Sequence, residues 1–250
     1  MTIENFFQLH NNTAVAFSGG VDSAVLLFFA KAYARNVKAY YVRSQFQPDF
    51  EYEDALKVAE ILDTDLEVIE VDVLSDSEIV KNPANRCYLC KKRIFGAIKN
   101  AAARDGFETV VDGTNASDDI NDRPGFKALK ELGVISPLRE CGYTKKEIRI
   151  IAEENSLPVF DKPSYACLAT RIPMGNRITS DLLEKTEKAE NLLMKEGFRN
   201  FRIRYADGDA RLELGKKEAE MFNKNKEKII SLLTAYYGSV YLDSRERTDE

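Results

Sequence analysis

The residues of this sequence best suited to chemistry occupy a short glycine-rich turn near its start. Residues 14–30, AVAFSGGVDSAVLLFFA, begin with the composition of a buried strand and end with that of a buried helix. The turn between them consists of Ser18, Gly19, Gly20, Val21, Asp22 and Ser23. Glycines at a strand-to-helix junction let an anion approach the backbone N–H groups of the helix N-terminus, which favours phosphate. Asp22 is suited to hold a cation that bridges phosphates, and the alternative is a purely structural turn.

Cysteines form a second group of candidates. In a reducing compartment the four cysteines are not expected to form structural disulfides. Cys87 and Cys90 make a single CxxC, which alone is compatible with zinc, redox or cluster chemistry, and a zinc ribbon would need a second pair. Cys167 is the candidate third ligand, and the nearby Arg171 would favour its thiolate. Cys141 lies outside these motifs and is interpreted as structural.

Charged residues near the C-terminus alternate with apolar ones. Arg202 and Arg204 are expected on one strand face, and Arg211 and Glu213 on one face of the next strand. Paired arginines suit a phosphate or a carboxylate, and the alternative is a solvated, charge-balanced strand face. Three further arginines close to the motifs indicate a local pocket for anions: Arg86, Arg123 and Arg171.

Strand and helix patterns alternate through the first two thirds of the chain. Apolar runs predict strands at 13–17, 37–42, 66–71 and 109–111, with 134–136 as a candidate fifth. Helical spacing predicts helices at 22–34, 50–62, 90–104 and 144–155, the last with a Thr144–Glu147 capping box. The fold class expected is α/β, a parallel sheet with helices on both faces, over residues 1–173.

A different pattern follows Pro173. Long helices are predicted at 179–196 and 216–235, with short strands at 201–205, 210–214 and 239–242. Residues 174–250 are therefore expected to form a small α+β domain.

Composition excludes several classes of protein. The chain has 250 residues and a formal net charge of −5 at pH 7, so a general nucleic-acid binder is not indicated. No apolar run approaches the roughly 18 residues that a membrane span requires. The N-terminal residues lack the features of a signal peptide, so a cytoplasmic location is expected. With His10 as the single histidine, a Ser-His-Asp hydrolase or a histidine-rich zinc site is a poor candidate.

The turn Ser-Gly-Gly-Val-Asp-Ser at 18–23 resembles the PP-loop of ATP pyrophosphatases. The resemblance implies that this turn binds the pyrophosphate of ATP, with Mg2+, while a substrate oxygen is adenylylated. It also implies that Ser44, after the second strand, lies near adenine. In the run Asp-Gly-Thr-Asn at 112–115, Gly113 and Thr114 would lie beside the nucleotide.

Several spaced motifs together are similar to the LarE family of ATP-dependent sulfur transferases, which mature the nickel-pincer cofactor of lactate racemase. They are RCYLCK at 86–91, DGTN at 112–115, ACLATRIPMG at 166–175, and the pair formed by RIR at 202–204 and RLE at 211–213. The resemblance implies adenylylation of a carboxylate of pyridinium-3,5-dicarboxylic acid mononucleotide, followed by displacement of AMP by sulfur to leave a thiocarboxylate. It implies catalytic roles for Cys167, Asp22 and Arg171. It implies substrate binding by Arg86, Arg202, Arg204 and Glu213.

The family has two branches, which differ in the source of sulfur. One sacrifices the cysteine that matches Cys167, and the other holds a 4Fe-4S cluster on three cysteines. The presence of Cys87, Cys90 and Cys167 resembles the cluster branch, whose fourth iron is free to carry sulfide. The family also implies a homo-oligomer, and it implies that the domain at 174–250 serves substrate binding or oligomerisation. The run 244–247 departs from the pattern, because a glycine-containing run is expected there.

Three alternatives stay open at this point. An amide-forming ligase would use ammonia on the same adenylate and would need no Cys167. A tRNA thiolase shares the cysteine chemistry, but this chain lacks a basic RNA-binding extension. An ATP-sensing or assembly module would keep the turn without the chemistry.

Overall fold

The computed structural model describes residues 1–119 and 124–247, and Arg123 lies outside them. The chain forms two compact units. The first combines Met1–Val73 with Asn85–Lys162, and the second combines Leu74–Ala84 with the chain from Pro163 onward. The sequence patterns predicted a single boundary after Pro173. In the structure the second unit already begins at Pro163, so it contains the loop that carries Cys167.

The predicted strands and helices follow one another in the predicted order, and the structure adds four short helices that the sequence patterns did not predict, at 3–9, 77–80, 124–131 and 137–140. The strands are β1 (Asn12–Ala16), β2 (Asn36–Arg43), β3 (Leu66–Glu70), β4 (Thr109–Val111), β5 (Phe201–Ala206), β6 (Asp209–Leu214) and β7 (Val240–Leu242). The α-helices are α1 (Ile3–Leu9), α2 (Val21–Tyr33), α3 (Asp49–Ile61), α4 (Ser77–Val80), α5 (Arg86–Arg104), α6 (Pro124–Glu131), α7 (Pro137–Glu140), α8 (Lys145–Glu154), α9 (Ser180–Lys195), α10 (Lys216–Lys224) and α11 (Lys226–Leu233). A 3-10 helix spans Leu168–Arg171.

The first unit is built on a parallel sheet with the strand order β3-β2-β1-β4. In the middle of the sheet Val15 pairs with Ala39 on one side and with Val111 on the other. Ala14 and Val15 of β1 and residues 24–27 of α2 are fully buried, as expected of a strand and a helix that pack inside an α/β fold. The predicted α/β fold is confirmed. The candidate fifth strand is reduced to one parallel bridge between Val111 and Ile135.

Two helix starts in the first unit bear on the site. Helix α5 begins at Arg86, before the predicted start at residue 90, because no glycine or proline interrupts residues 86–90. Cys87 and Cys90 therefore lie one helical turn apart on the same helix face. The capping box of α8 is confirmed, since Thr144 N donates to Glu147 Oε2 at 2.8 Å and Glu147 N donates back to Thr144 Oγ1.

The second unit is a three-stranded sheet, β5-β6-β7, with its own apolar core. Strands β5 and β6 are antiparallel, and their buried residues alternate with partly exposed ones as predicted. The single helix predicted over 216–235 is broken at Asn225, whose side chain donates to Met221 O at 3.1 Å. Such side-chain bonds to the backbone compete with helix continuation. Along the described chain, no helix is both long and apolar enough to cross a membrane.

Candidate active site

Sheet topology marks one crevice in the first unit. The chain leaves β1 toward β2 and β3 on one side, and β4 lies on the other side of β1. β1 and β4 are neighbours in the sheet, and the loops that follow them leave its carboxyl edge in opposite directions. In open α/β sheets, ligands bind in this kind of crevice. The sequence-predicted turn at 18–23 follows β1, and the DGTN run at 112–115 follows β4.

The turn after β1 is held in shape by its own serines. Ser23 Oγ accepts from Ser18 N at 3.2 Å and donates to Gly20 O at 3.0 Å. Gly19 has φ +74°, and a Cβ there would lie 2.9 Å from backbone atoms of Ala55, so only glycine fits. Gly20 is the N-cap of α2, and no side chain of the described residues caps this helix. The first N–H groups of α2, which begins at Val21, are thus available to an anion.

The loop after β4 packs directly on this turn. A Cβ on Gly113 would lie 2.9 Å from Ser23 N, so the close approach requires glycine. Thr114 Oγ1 donates to Asp112 Oδ2 at 2.5 Å, and Ser136 Oγ donates to the other oxygen of the same buried carboxylate at 2.5 Å. The structure thus brings the predicted residues of the 18–23 turn and the DGTN run together in one rigid crevice.

Asp22 lies between two donors in this crevice. Asn115 Nδ2 donates to its Oδ1 at 3.1 Å, and Lys145 Nζ lies 2.5 Å from its Oδ2. Sequence reasoning missed Lys145, because its partner is 123 positions away. The sequence did contain one signal. A lysine in the first turn of a helix interacts unfavourably with the helix dipole, which indicates an acidic partner nearby.

Ser44 lies at the carboxyl end of β2, beside the strand that carries the turn. It is buried, and its hydroxyl donates to Gln47 Oε1 at 2.5 Å and accepts from Phe46 N at 3.3 Å. The hydroxyl therefore shapes the 44–47 turn, and its predicted contact with adenine stays a prediction.

The first-unit cysteines differ in their surroundings. Cys87 is exposed and Cys90 half-buried in the first turns of α5, and the buried Arg86 places Nη2 3.9 Å from Cys87 Sγ. Cys141 packs against the core, and burial raises the pKa of its thiol, in keeping with a structural residue.

Within either unit taken alone, the described residues contain no group of three or more His, Cys, Asp or Glu placed to hold a metal ion.

The loop of Cys167 is anchored inside the second unit. Cys167 O accepts from Thr170 N at 2.9 Å and from Thr170 Oγ1 at 2.8 Å, while Arg171 Nη1 donates to Ala166 O at 2.7 Å. Burial alone would lower the pKa of Arg171, but the adjacent Glu190 carboxylate more than offsets this effect and keeps the pKa above its usual value. The neighbouring Tyr165 and Cys167 side chains also raise the pKa of Arg171.

Glu190 of α9, which sequence reasoning missed, connects this loop to the sheet. Its carboxylate accepts Arg171 Nε at 2.8 Å and Arg171 Nη2 at 3.0 Å in a bidentate pair. The two side chains are only 1% and 0% exposed. The same carboxylate accepts Ile203 N of β5 at 2.9 Å and the hydroxyl of Tyr165. The buried Glu190 carboxylate therefore anchors the loop on both sides of Cys167, at Tyr165 and at Arg171.

The predicted arginine face exists on β5 and β6. Arg202 pairs in register with Glu213, and Arg204 with Arg211. Arg204 Nε donates to Glu213 Oε1 at 2.8 Å, and its Nη1 donates to a carbonyl of the Cys167 loop, Thr170 O.

Arg202 differs from its neighbours on this face. Its side chain forms no hydrogen bond or ion pair with the described residues. Burial, together with the charges of Arg247, Arg171 and Arg204, lowers its pKa to about 10. Arg247, from the run that departs from the family pattern, is fixed by a 2.9 Å bond from its Nε to Asn200 Oδ1. The face is therefore electropositive at Arg202 and would be stabilised by an anion.

Comparison with known proteins gives four findings. A family model described as queuosine biosynthesis protein QueC matches residues 12–93. The pyridinium-3,5-bisthiocarboxylic acid mononucleotide synthase of Lactiplantibacillus plantarum is 34% identical over 80% of this chain and 73% of its own length. An uncharacterized protein of Synechocystis is 33% identical over 88% of this chain and 82% of its own. The tRNA-specific 2-thiouridylase MnmA of Thermotoga petrophila is 26% identical over 73% of this chain and 61% of its own.

The parallel sheet and the Ser-Gly-Gly-Val-Asp-Ser turn between β1 and α2 define an α/β protein of the PP-loop class. Within that class, the extent of its match to the synthase shows that the chain belongs to the LarE family.

Proposed function

We propose that this protein is an ATP-dependent sulfur transferase that converts a carboxylate of pyridinium-3,5-dicarboxylic acid mononucleotide into a thiocarboxylate. The observation that carries the proposal is the folded 18–23 turn, with its uncapped helix, in a chain 34% identical to a synthase of the bisthiocarboxylic acid mononucleotide. A carboxylate is a poor electrophile, and its adenylate carries AMP as a good leaving group. The product is a step toward the nickel-pincer nucleotide cofactor of lactate racemase.

The first unit supplies the groups for adenylylation. The N–H groups at the start of α2 and the hydroxyls of Ser18 and Ser23 would bind the phosphates of ATP. Asp22 has the oxygen ligands that Mg2+ prefers, and the ion would offset phosphate charge as pyrophosphate leaves. Gly113 and Thr114 would lie beside the nucleotide, since their loop contacts the same turn.

Cys167 would take part in supplying the sulfur, as a ligand of a cluster that carries sulfide. The residues fit a 4Fe-4S cluster in type, because Cys87 and Cys90 lie on one face at the start of α5 and can both ligate one cluster. Cys167 would be the third ligand. Such a cluster, held by these three thiolates, would supply the sulfide that replaces AMP. The homo-oligomer that the family implies and the cytoplasmic location expected from the N-terminal sequence stay predictions.

The second unit would bind the mononucleotide. Arg202 and Arg204 project from the same face of β5, and Arg202 has a guanidinium without an acceptor among the described residues. A phosphate offers oxygen pairs that match a guanidinium. Glu213 fixes Arg204 and so would shape the site without contacting an anion directly. Arg86 is buried beside Cys87, and its assignment to substrate stays a prediction.

Anaerobic incubation with ATP and the dicarboxylic mononucleotide tests the proposal. We expect release of pyrophosphate and AMP and, by mass spectrometry, replacement of a carboxylate oxygen by sulfur. Amide formation in the presence of ammonia, with no sulfur incorporated, would instead identify an amide ligase. Thiolated tRNA would identify a tRNA thiolase, and nucleotide binding without pyrophosphate release an ATP-sensing module.

Iron content provides a prediction for the cysteines. The anaerobically purified protein is expected to contain about four irons and four acid-labile sulfides per chain, with a broad absorption near about 400 nm. Cys87→Ala removes one of three thiolates, so most of this iron should be lost, whereas Cys141→Ala should retain it. A colourless wild type without iron would contradict the cluster and leave Cys167 as the sacrificial sulfur donor. Mass spectrometry after turnover would then show dehydroalanine at residue 167.

Arg202→Ala is expected to raise KM for the mononucleotide by about 10- to 100-fold, the loss typical of a charge-assisted hydrogen bond, with a smaller change in kcat. Steady-state kinetics of pyrophosphate release measure both constants. Arg199→Ala is the matched control, because Arg199 is an exposed arginine just before the same strand. An unchanged KM in Arg202→Ala would show that this face does not bind the mononucleotide and is a solvated strand face.

A further inference from the structure

A lysine stands in the crevice between the loops that follow β1 and β4. Lys145 Nζ lies 2.5 Å from Asp22 Oδ2, and the Lys145 and Asp22 side chains are 27% and 25% exposed. A ligand in the crevice can therefore reach both charges. Asp22 is the second residue of α2, next to the N–H groups assigned to phosphate, so the ammonium group lies close to that anion site.

The backbone at Lys145 is fixed by the site itself. Lys145 N donates to Ser117 Oγ at 3.0 Å, and Ala116 N donates to Tyr143 O at 2.8 Å. The preceding residue is Thr144, the N-cap in the α8 capping box. The start of α8 is thereby bonded to the loop that follows β4, and the lysine stem begins from a rigid point beside the crevice.

The fold alone gives little reason for a lysine here. A cation in the first turn of α8 opposes the helix dipole. An ion pair as exposed as this one contributes little to stability. Arg139, another cation that contacts the 115–118 loop, is committed to the carbonyls of Asn115 and Asp118 at 3.2 and 2.7 Å. Lys145 has a carboxylate as its partner, and an incoming phosphate can compete for its charge.

We infer that Lys145 is a catalytic residue that exchanges its ion pair with Asp22 for the β- and γ-phosphates of ATP. This inference rests on the proposed adenylylation. There, a substrate carboxylate oxygen forms a bond to the α-phosphorus as the bond to the bridging oxygen breaks. Pyrophosphate departs with that electron pair, and no proton is transferred. The Lys145 ammonium stabilises the charge that develops on the leaving group, and Asp22 becomes free to hold a magnesium ion.

Nucleotide binding by calorimetry tests this role. Lys145→Met keeps the aliphatic stem and removes the charge, and the exposed neighbour Lys146→Met is the matched control. In Lys145→Met, the Kd values for ATP and for pyrophosphate are expected to rise by at least about 10-fold, while that for AMP changes by less than about 2-fold. Lys146→Met should leave all three unchanged.

Other outcomes would overturn the inference. Unchanged ATP and pyrophosphate affinity in Lys145→Met would show that the lysine does not contact the phosphates. An equal loss of AMP affinity would show that it only maintains the crevice. If the wild type binds ATP but adenylylates no carboxylate, the proposed function fails while the comparison of ATP with AMP still decides the role of Lys145. A wild type that binds no nucleotide contradicts both.

Discussion

Cys167→Ala is expected to lower thiocarboxylate formation by at least about 1000-fold, the scale of loss when a reacting group is removed. Pyrophosphate release should persist, because the predicted ATP-binding residues at 18–23 and 113–114 belong to the first unit. Cys167 is half-buried in a loop of the second unit, so loss of its sulfur leaves that crevice intact. Parallel assays of pyrophosphate and of thiocarboxylate mass separate the two steps.

The control for this substitution is Cys141→Ala. Cys141 is also half-buried, but it packs against the core of the first unit and lies outside the motifs. It should retain both steps. Sulfur transfer that survives in Cys167→Ala would remove this cysteine from the mechanism. Loss of pyrophosphate release along with sulfur transfer would show that Cys167 supports the structure and not the sulfur step alone.

Glu190→Gln is expected to lower the free energy of unfolding of the second unit by about 3–5 kcal/mol, the range typical when one partner of a buried pair is removed. The variant keeps the shape of the side chain but leaves the Arg171 guanidinium, which is 0% exposed, without its counter-charge. It also weakens the acceptor for Tyr165 and for Ile203 N. Urea denaturation followed by circular dichroism measures the loss.

Two comparisons isolate the buried charge as the cause. Glu184→Gln removes a carboxylate from the same helix, but its partner Lys188 and Glu184 itself are exposed, so the transition midpoint should not move. The double variant Glu190→Leu/Arg171→Met replaces both charges by apolar groups and should recover much of the stability. A loss below about 1 kcal/mol in Glu190→Gln would show that water or another group compensates Arg171.

Local patterns were enough to predict much of the fold and part of the site. The apolar run before Gly19 and Gly20 predicted the central strand and the turn, and Thr144 with Glu147 predicted the start of α8. These features depend on residues a few positions apart. Asn225 shows the limit of such patterns, because a side chain that bonds its own backbone ended a helix whose apolar spacing continues.

The remaining site residues depend on contacts between distant segments. Lys145 reaches Asp22 across 123 positions, and Glu190 meets Arg171 through the packing of α9 on the 3-10 helix. Nothing in the composition of the charged helix α9 distinguished the buried Glu190 from the other acidic residues of that helix. Arg247 lies in a run that departs from the family pattern, so only the structure showed that its charge affects Arg202.

The path of the chain has a consequence for synthesis on the ribosome. Segment 74–84 belongs to the second unit, where Asn82 Nδ2 donates to Ile172 O, 90 positions later. At about 5–20 residues per second, this segment waits roughly 5–20 s for that partner. Throughout the wait Ile79 and Val80, which are buried in the finished protein, stay exposed to water or to chaperones. A nascent chain stopped after residue 162 would display the same apolar side chains permanently, because the rest of the second unit would be missing.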